Sequence, residues 1–124
     1  MKLAIVDDDE DVRRALVRLL RGFGHDVRAF GSAEEFEAAP VMADCLILDV
    51  RLPGMSGYEL SERLHQRPVR LPIVLITGDS YVKADVSAST RTPLITKPFD
   101  DATLLAAVAQ AMASTAVEHA RHAR

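Results

Sequence analysis

Short hydrophobic runs alternate with amphipathic segments along the whole chain. Apolar runs of three to six residues, bounded by charged or turn-forming residues, are typical of buried strands. One further segment, 25–30, alternates polar and apolar residues and predicts a half-exposed edge strand. The predicted strands are 3–6, 25–30, 45–48, 71–76 and 94–96.

The first helix is predicted directly after an acidic stretch that covers residues 7–11. Apolar residues at helical spacing predict its buried face: they are Val12, Ala15, Leu16, Leu19, Leu20 and Phe23. Four arginines lie on the opposite face, and the simplest interpretation is a solvated surface: they are Arg13, Arg14, Arg18 and Arg21. The glycines at 22 and 24 predict the end of the helix.

Capping residues predict the other helices. Ser32 with Glu35 and Ser56 with Glu59 have the spacing of capping boxes, and Asp100 precedes an Ala-rich helix. The inward face of that last helix is predicted to contain Leu104, Leu105, Val108 and Met112. Between Asp79 and Thr92 the helical periodicity is weak, so we expect a short or irregular helix that is the least stable part of the domain.

Alternating strands and helices predict an α/β fold, a single doubly wound (βα)5 domain of the flavodoxin-like kind with a parallel sheet of order 2-1-3-4-5. In that order the first and third strands are neighbours at the point where the chain reverses direction across the sheet. The side chains of Asp7, Asp8 and Asp49 should therefore converge at one crevice. Thr77 and Lys97 end the next two strands along.

Composition limits the functions that fit. The formal net charge of -3 provides no positive field for nucleic acid or an anionic membrane. The single cysteine, Cys45, lies within an apolar run and is most simply a small core residue. The first apolar run is too short for a secretory signal. These observations favour a cytoplasmic protein with protein partners. We expect it to exist as a monomer or weak dimer.

The predicted crevice has a definite chemistry. Close carboxylates repel one another by roughly 4 kcal/mol per pair near a protein surface, so a positive group is expected there. An all-oxygen site suits Mg²⁺, with Mn²⁺ as the alternative, and Lys97 supplies a second positive charge. Asp49 is then free to act as a nucleophile toward a phosphoryl group, which the cation, Lys97 and the Thr77 hydroxyl would stabilise.

Four motifs in this order resemble the receiver domain of two-component response regulators. They are Val6-Asp7-Asp8-Asp9-Glu10, Leu48-Asp49-Val50-Arg51-Leu52-Pro53-Gly54-Met55-Ser56-Gly57, Ile76-Thr77-Gly78 and Thr96-Lys97-Pro98-Phe99. The resemblance implies that Asp49 is the phosphoacceptor and that Asp7, Asp8 and the backbone carbonyl of Arg51 bind the metal. It also implies a Lys97-Pro98 peptide that is commonly cis, a switch hydroxyl on Thr77 beside Gly78, and a histidine kinase or histidine phosphotransfer protein as the phosphodonor. In this family the first helix contacts that donor, so Arg13 and Arg14 are candidates for the contact.

Two departures from the family pattern concern the switch. Leu94 occupies the position where family members usually have an aromatic residue, and the small-residue and glycine motif expected before the fifth strand is replaced by residues 89–93. The usual aromatic switch is therefore absent or altered. The signal is expected instead as ordering or displacement of the segment that follows Thr77 and Gly78.

Alternative functions remain open at this point. A degenerate receiver that only binds partners would retain the fold without accepting phosphate. An aspartate-nucleophile phosphatase of the haloacid-dehalogenase type needs a second acid where Arg51 stands, and a flavodoxin-like cofactor binder needs a phosphate loop where Asp7 stands. The preferred prediction is a receiver over residues 1–113, with 114–124 forming the end of the last helix and a tail too short for a DNA-binding domain.

Overall fold

A computed structural model of the protein describes residues 1–39, 42–68, 70–78 and 92–122. Within these residues the strands are β1 Lys2–Val6, β2 Asp26–Phe30, β3 Cys45–Asp49, β4 Ile73–Thr77 and β5 Leu94–Thr96. They form one parallel sheet of order β2-β1-β3-β4-β5. The predicted fold class and strand order are confirmed, although β4 begins at Ile73 and not at Leu71.

The helices that the structure describes are α1 Glu10–Gly22, α2 Ala33–Ala38, α3 Gly57–His65 and a C-terminal helix, Asp101–His122. The irregular helix predicted between β4 and β5 lies outside the described residues, except for Thr92. No helix in the described part of the chain combines the length and the apolar character that a membrane span requires.

Both faces of the sheet are covered, because successive residues of a strand point to opposite sides. Leu3 and Ile5 of β1 pack toward α1 and the C-terminal helix, whereas Ala4 and Val6 pack toward α2 and α3. Every residue of β3 is buried, as expected for a central strand. Full burial of each large apolar side chain contributes about 1.5–3 kcal/mol, so the central strands anchor the fold and hold their ends in fixed positions.

The buried face of α1 is narrower than the sequence predicts. Leu16 and Leu20 are buried, with Val12, Val17 and Leu19 packed beside them. The prediction was wrong for two residues, because Ala15 and Phe23 are exposed. Residue 15 lies about 100° around the helix from residue 16, and Phe23 follows the last helical residue, so neither shares the buried stripe.

The predicted serine caps are present, but among the described contacts neither capping box is completed by its glutamate. The Ser32 and Ser56 hydroxyls accept hydrogen bonds from the backbone N–H groups of Glu35 and Glu59, each at 3.1 Å. The Glu35 carboxylate does not return to the backbone of Ser32 as a capping box would have it; it accepts from the N–H of Gly31 at 3.1 Å. This shift of one residue fixes the turn between β2 and α2.

Candidate functional site

Two carboxylates end neighbouring strands at the same edge of the sheet. Val6 of β1 lies opposite Leu48 of β3, so the next residues, Asp7 and Asp49, emerge side by side. One oxygen from each of Asp7, Asp8 and Asp49 lies within 4.8 Å of the others. Asp7 and Asp49 are buried, whereas Asp8 is exposed. The predicted convergence of the three carboxylates is confirmed.

Lys97 follows β5, two strands away from β3, and its side chain extends back to this acidic group. Its Nζ donates to Oδ2 of Asp7 at 3.1 Å and to Oδ2 of Asp49 at 3.2 Å. Its backbone N–H donates to the carbonyl of Thr77 at 2.7 Å, and the Lys97-Pro98 peptide is cis, as the resemblance implied. The ammonium therefore bridges the two buried carboxylates.

Asp7 is held from three directions. Its N–H donates to the carbonyl of Phe30 at 3.1 Å, and its Oδ1 accepts from the N–H of Asp9 at 2.9 Å. Its carbonyl oxygen accepts from Nη1 of Arg13 on α1 at 2.8 Å. Asp9 in turn caps α1 by accepting from the N–H groups of Asp11 and Val12. Strand β2, the acidic loop and α1 thus set the position of this carboxylate together.

Asp49 is fixed by the backbone on both sides of it. Its Oδ1 accepts from the N–H of Arg51 at 3.1 Å, and the N–H of Val50 donates to the carbonyl of Ile76 at 2.9 Å. The N–H of Gly57 donates to the carbonyl of Val50 at 2.9 Å. A Cβ at Gly57 would strike the carbonyl oxygen of Asp49 and lie 2.8 Å from the Cα of Val50. Only glycine lets α3 begin this close to the end of β3.

The loop between β3 and α3 is braced by α2. Gly54 has a φ of 74°, which glycine adopts without the steric cost that other residues incur. The next N–H, that of Met55, donates to Oε2 of Glu34 at 3.1 Å. This hydrogen bond lowers the pKa of the Glu34 carboxyl. The loop that follows Asp49 is therefore tied to the first turn of a neighbouring helix.

Burial and charge act in opposite directions on the titration of the site. Burial, followed by the charge of Asp7, raises the pKa of Asp49 to about 6, against the lowering effect of Lys97. Burial alone would lower the pKa of Lys97, but the hydrogen bond to Asp7 and the two carboxylate charges raise it. With all three carboxylates ionised, three negative charges face one ammonium, which leaves two negative charges in excess.

This excess makes the site suitable for a divalent cation. The donors are carboxylate oxygens, which Mg²⁺ and Mn²⁺ prefer. Asp8 is the exposed member of the three, so its carboxylate faces the solvent from which an ion would arrive. A pocket of about 500 Å³ lies beside Asp8 and is lined in part by Val50, Arg51 and Ser56.

The predicted switch residues lie on the two strands beyond β3. Thr77 ends β4, is fully buried, and is paired in register with Thr96, the residue before Lys97. Gly78 follows it at the surface, and a Cβ there would meet no atom of the described residues within 4 Å. Leu94 begins β5, half-buried against the cluster that includes Val6 and Leu75. Thr77 therefore lies at the edge of the acidic site, and Leu94 is set back from it.

The sequence interpretation missed two residues that shape the site. Gly57 was interpreted only as part of the loop after Asp49, although a glycine directly after the predicted cap, Ser56, falls within the helix and can indicate close packing. Arg13 was assigned to the solvated face of α1, and nothing in the helical spacing distinguishes it from Arg14. Its contact with Asp7 depends on how the acidic loop turns back toward the helix.

The fold and the site together define a class: a doubly wound parallel sheet with an acidic triad and a lysine at its carboxyl edge. The family model for the response regulator receiver domain matches residues 3–109. The chain belongs to that family; it is a receiver domain of two-component signalling and not a conventional enzyme.

Individual relatives agree with this assignment. Nodulation protein W of Bradyrhizobium diazoefficiens is 40% identical over 111 residues, which cover 86% of this chain and 49% of that protein. The response regulator protein TmoT of Ectopseudomonas mendocina is 38% identical over 112 residues, covering 87% of this chain and 51% of that protein. The chain thus spans about half the length of the curated relatives it matches.

Solved structures show the same architecture. The response regulator StyR is 35% identical with a TM-score of 0.78, over 98% of this chain and 63% of that one. The response regulator TrrA of Thermotoga maritima, solved in complex with Mg²⁺ and BeF, is 25% identical with a TM-score of 0.80, over 89% of this chain and 97% of that one.

Proposed function

We propose that the protein accepts a phosphoryl group on Asp49 from a histidine kinase or a histidine phosphotransfer protein, and that this modification changes its binding to a downstream protein. The observation that supports the proposal is the bridge from Lys97 Nζ to the buried carboxylates of Asp7 and Asp49, at 3.1 and 3.2 Å. A lysine that only compensated surface charge would not require buried partners. Here the ammonium of Lys97 lies beside the Asp49 carboxylate, which would receive the phosphoryl group.

The cation would be Mg²⁺, or Mn²⁺, held by the carboxylates of Asp7, Asp8 and Asp49 and by the backbone carbonyl of Arg51. A carbonyl ligand is compatible with any side chain, so arginine at this position is acceptable. When bound, the cation would supply positive charge for the phosphoryl oxygens and for the excess negative charge of the triad. The complex of TrrA with Mg²⁺ and BeF supports this assignment by relationship.

The chemical step needs few groups from the protein. A carboxylate oxygen of Asp49, ionised above its pKa of about 6, attacks phosphorus as the bond from phosphorus to the donor's histidine nitrogen breaks. The electron pair of that bond returns to the imidazole, which takes up a proton, and an aspartyl phosphate is left on Asp49. Lys97 would stay beside the transferred phosphoryl oxygens and stabilise their negative charge. Positioning and charge stabilisation are most of what phosphoryl transfer requires.

The response would begin at Thr77 and Gly78. We propose that the Thr77 hydroxyl turns to the phosphoryl group and that Gly78 moves with it toward the same group. Leu94 has no ring to rotate, so the change would be carried by the chain that follows Gly78. Further expectations belong to the same proposal: action in the cytoplasm as a monomer or weak dimer, without direct contact with nucleic acid or membrane.

The proposal is tested by incubating the protein with Mg²⁺ and a small acyl phosphate or phosphoramidate, followed by intact mass measurement. We expect a gain of one phosphoryl group in the wild type and none in Asp49→Asn. Asp26→Asn, at the opposite edge of the sheet and exposed, is the matched control and should be modified normally. Failure of the wild type to gain mass, with the fold intact, would favour a receiver that only binds partners.

A further inference from the structure

Two adjacent arginines on α1 have different partners. Arg14 pairs with Glu10 at 2.7 Å on the surface, where the two side chains are 74% and 63% exposed. Arg13 is partly buried, and its Nη1 donates to the backbone carbonyl of Asp7 at 2.8 Å. The sequence interpretation treated both as candidates for contact with the phosphodonor. The structure separates them, because the guanidinium of Arg13 is directed to the acidic loop.

The carbonyl that Arg13 binds belongs to the peptide joining Asp7 to Asp8. A peptide group is planar, so fixing this carbonyl also fixes the plane from which the Asp8 backbone continues. The N–H of Asp7 is bound to the Phe30 carbonyl at 3.1 Å, so the residue is held at both its backbone groups. Without the arginine, only the strand side of Asp7 would be restrained through its backbone.

Gly31 leaves the space that this contact needs. A Cβ at residue 31 would lie 3.3 Å from Nη1 of Arg13, closer than most side-chain contacts allow. The conformation of Gly31 is not in the left-handed region that favours glycine, since the positive-φ glycines described are Gly24 and Gly54. The close approach of the guanidinium is therefore the steric feature at this residue that a side chain would disturb.

We propose that Arg13 is a positioning residue for the cation site: its hydrogen bond to the Asp7 carbonyl holds the carboxylates of Asp7 and Asp8 where they converge with Asp49. This inference rests on the proposed binding of Mg²⁺ or Mn²⁺ at the triad. It concerns how the chain keeps the first two ligands in place before an ion arrives.

The direction in which Mg²⁺ affinity changes when Arg13 is replaced distinguishes a positioning role from a simple effect of charge. A nearby positive charge repels a cation, so electrostatics alone predicts that loss of an arginine tightens Mg²⁺ binding slightly. Loss of a group that orients metal ligands has the opposite effect, typically weakening affinity by about 10–100-fold. Arg13→Met and Arg14→Met remove the same charge from adjacent residues, and only the first removes the carbonyl contact.

The experiment is a calorimetric titration of each purified variant with Mg²⁺ at fixed pH and ionic strength. We expect Arg13→Met to weaken binding about tenfold and Arg14→Met to leave it unchanged or slightly tighter. Arg13→Lys, which keeps a donor on a long side chain, should recover part of the loss. If Arg13→Met does not fold, Arg13→Gln replaces it. Equal affinities in the Arg13 and Arg14 variants, or no recovery with lysine, would overturn the inference.

A second measurement separates this inference from the proposed function. The N–H of Asp9 donates to Oδ1 of Asp7 at 2.9 Å, so its exchange with solvent reports the placement of that carboxylate. NMR should show several-fold faster exchange of this amide in Arg13→Met than in Arg14→Met. Unchanged exchange would contradict positioning by Arg13 even if the wild type binds Mg²⁺. A wild type that binds no Mg²⁺ would instead contradict the proposed function.

Discussion

The side of the sheet where the strands end (the carboxyl edge) and the side where they begin (the amino edge) carry the same residue types in different environments. At the carboxyl edge Asp7 and Asp49 are buried, and Lys97 joins them. At the amino edge Lys2, Asp26 and Asp44 are all exposed around a shallow pocket of about 440 Å³. There the Asp44 carboxylate, just before β3, accepts a hydrogen bond at 2.7 Å from the backbone N–H of Lys2, which begins the neighbouring strand β1.

The difference teaches that burial, and not residue type, creates the chemistry of the site. Exposed carboxylates remain hydrated and interact weakly with their neighbours. Buried carboxylates must be paired or neutralised. The pKa of Asp49 is raised to about 6 chiefly because burial removes water from its charged form. Repulsion among the carboxylates is therefore concentrated at the carboxyl edge, where a bound cation can relieve it. This predicts that substitutions at the two edges will change stability by different amounts and in different directions.

The largest expected effect is the loss of stability in Gly57→Ala. The added Cβ would meet the Asp49 carbonyl and the Val50 Cα, both of them backbone atoms of the central strand, so the structure would have to move β3 relative to α3. We expect a loss of about 4 kcal/mol in the free energy of unfolding, measured by urea titration.

Gly24→Ala is the counterpart at the amino edge. A Cβ there meets no atom of the described residues within 4 Å, and its φ of 88° carries only local strain, so about 1 kcal/mol should be lost. Equal losses in the two variants would mean that the approach of α3 to β3 is less tight than described.

The second effect is a gain of stability, from Asp49→Asn. Because burial and Asp7 raise the pKa of Asp49 from 3.8 to about 6, the folded protein holds a proton that the unfolded chain releases between these pH values. The stability that the protonated Asp49 contributes to the fold is fully present below pH 4 and is lost as the pH rises through 6. The shift corresponds to about 3 kcal/mol.

Asparagine cannot ionise, so without metal the free energy of unfolding of Asp49→Asn should exceed that of the wild type by about 3 kcal/mol at pH 8. At pH 4 the two proteins should be nearly equal in stability. Melting temperatures measured across this range test the prediction. Asp26→Asn, an exposed carboxylate at the other edge, should change stability by no more than about 0.5 kcal/mol at any pH. A wild type whose stability does not fall between pH 4 and 6 would contradict the raised pKa.

Much of this comparison could be predicted from the sequence. Apolar runs that end in charged residues identified the strand ends, and the topology of alternating strands and helices brought Asp7 and Asp49 to one edge. Strand ends are predictable in this way because the hydrophobic pattern and the chain direction together determine them.

Contacts between side chain and backbone could not be predicted in the same way. The role of Gly57 depends on the distance between α3 and β3, and that of Arg13 on the path of the acidic loop beside Gly31. The exposure of Phe23 follows from where α1 ends. Periodicity records which face of an element is apolar, but it does not record such distances.

The smallest expected effect concerns Asp8, the exposed member of the triad. Removing its charge in Asp8→Ala lessens the repulsion on Asp7 and Asp49, so the melting temperature of the metal-free protein should rise by a few degrees. The same change removes a proposed ligand, so millimolar Mg²⁺, which should raise the melting temperature of the wild type by binding the folded state, should raise that of Asp8→Ala much less. Thermal melts with and without Mg²⁺ measure both effects. Asp44→Ala at the amino edge should keep the full response to Mg²⁺, and an equal Mg²⁺ response in all three proteins would show that the cation acts elsewhere than at the triad.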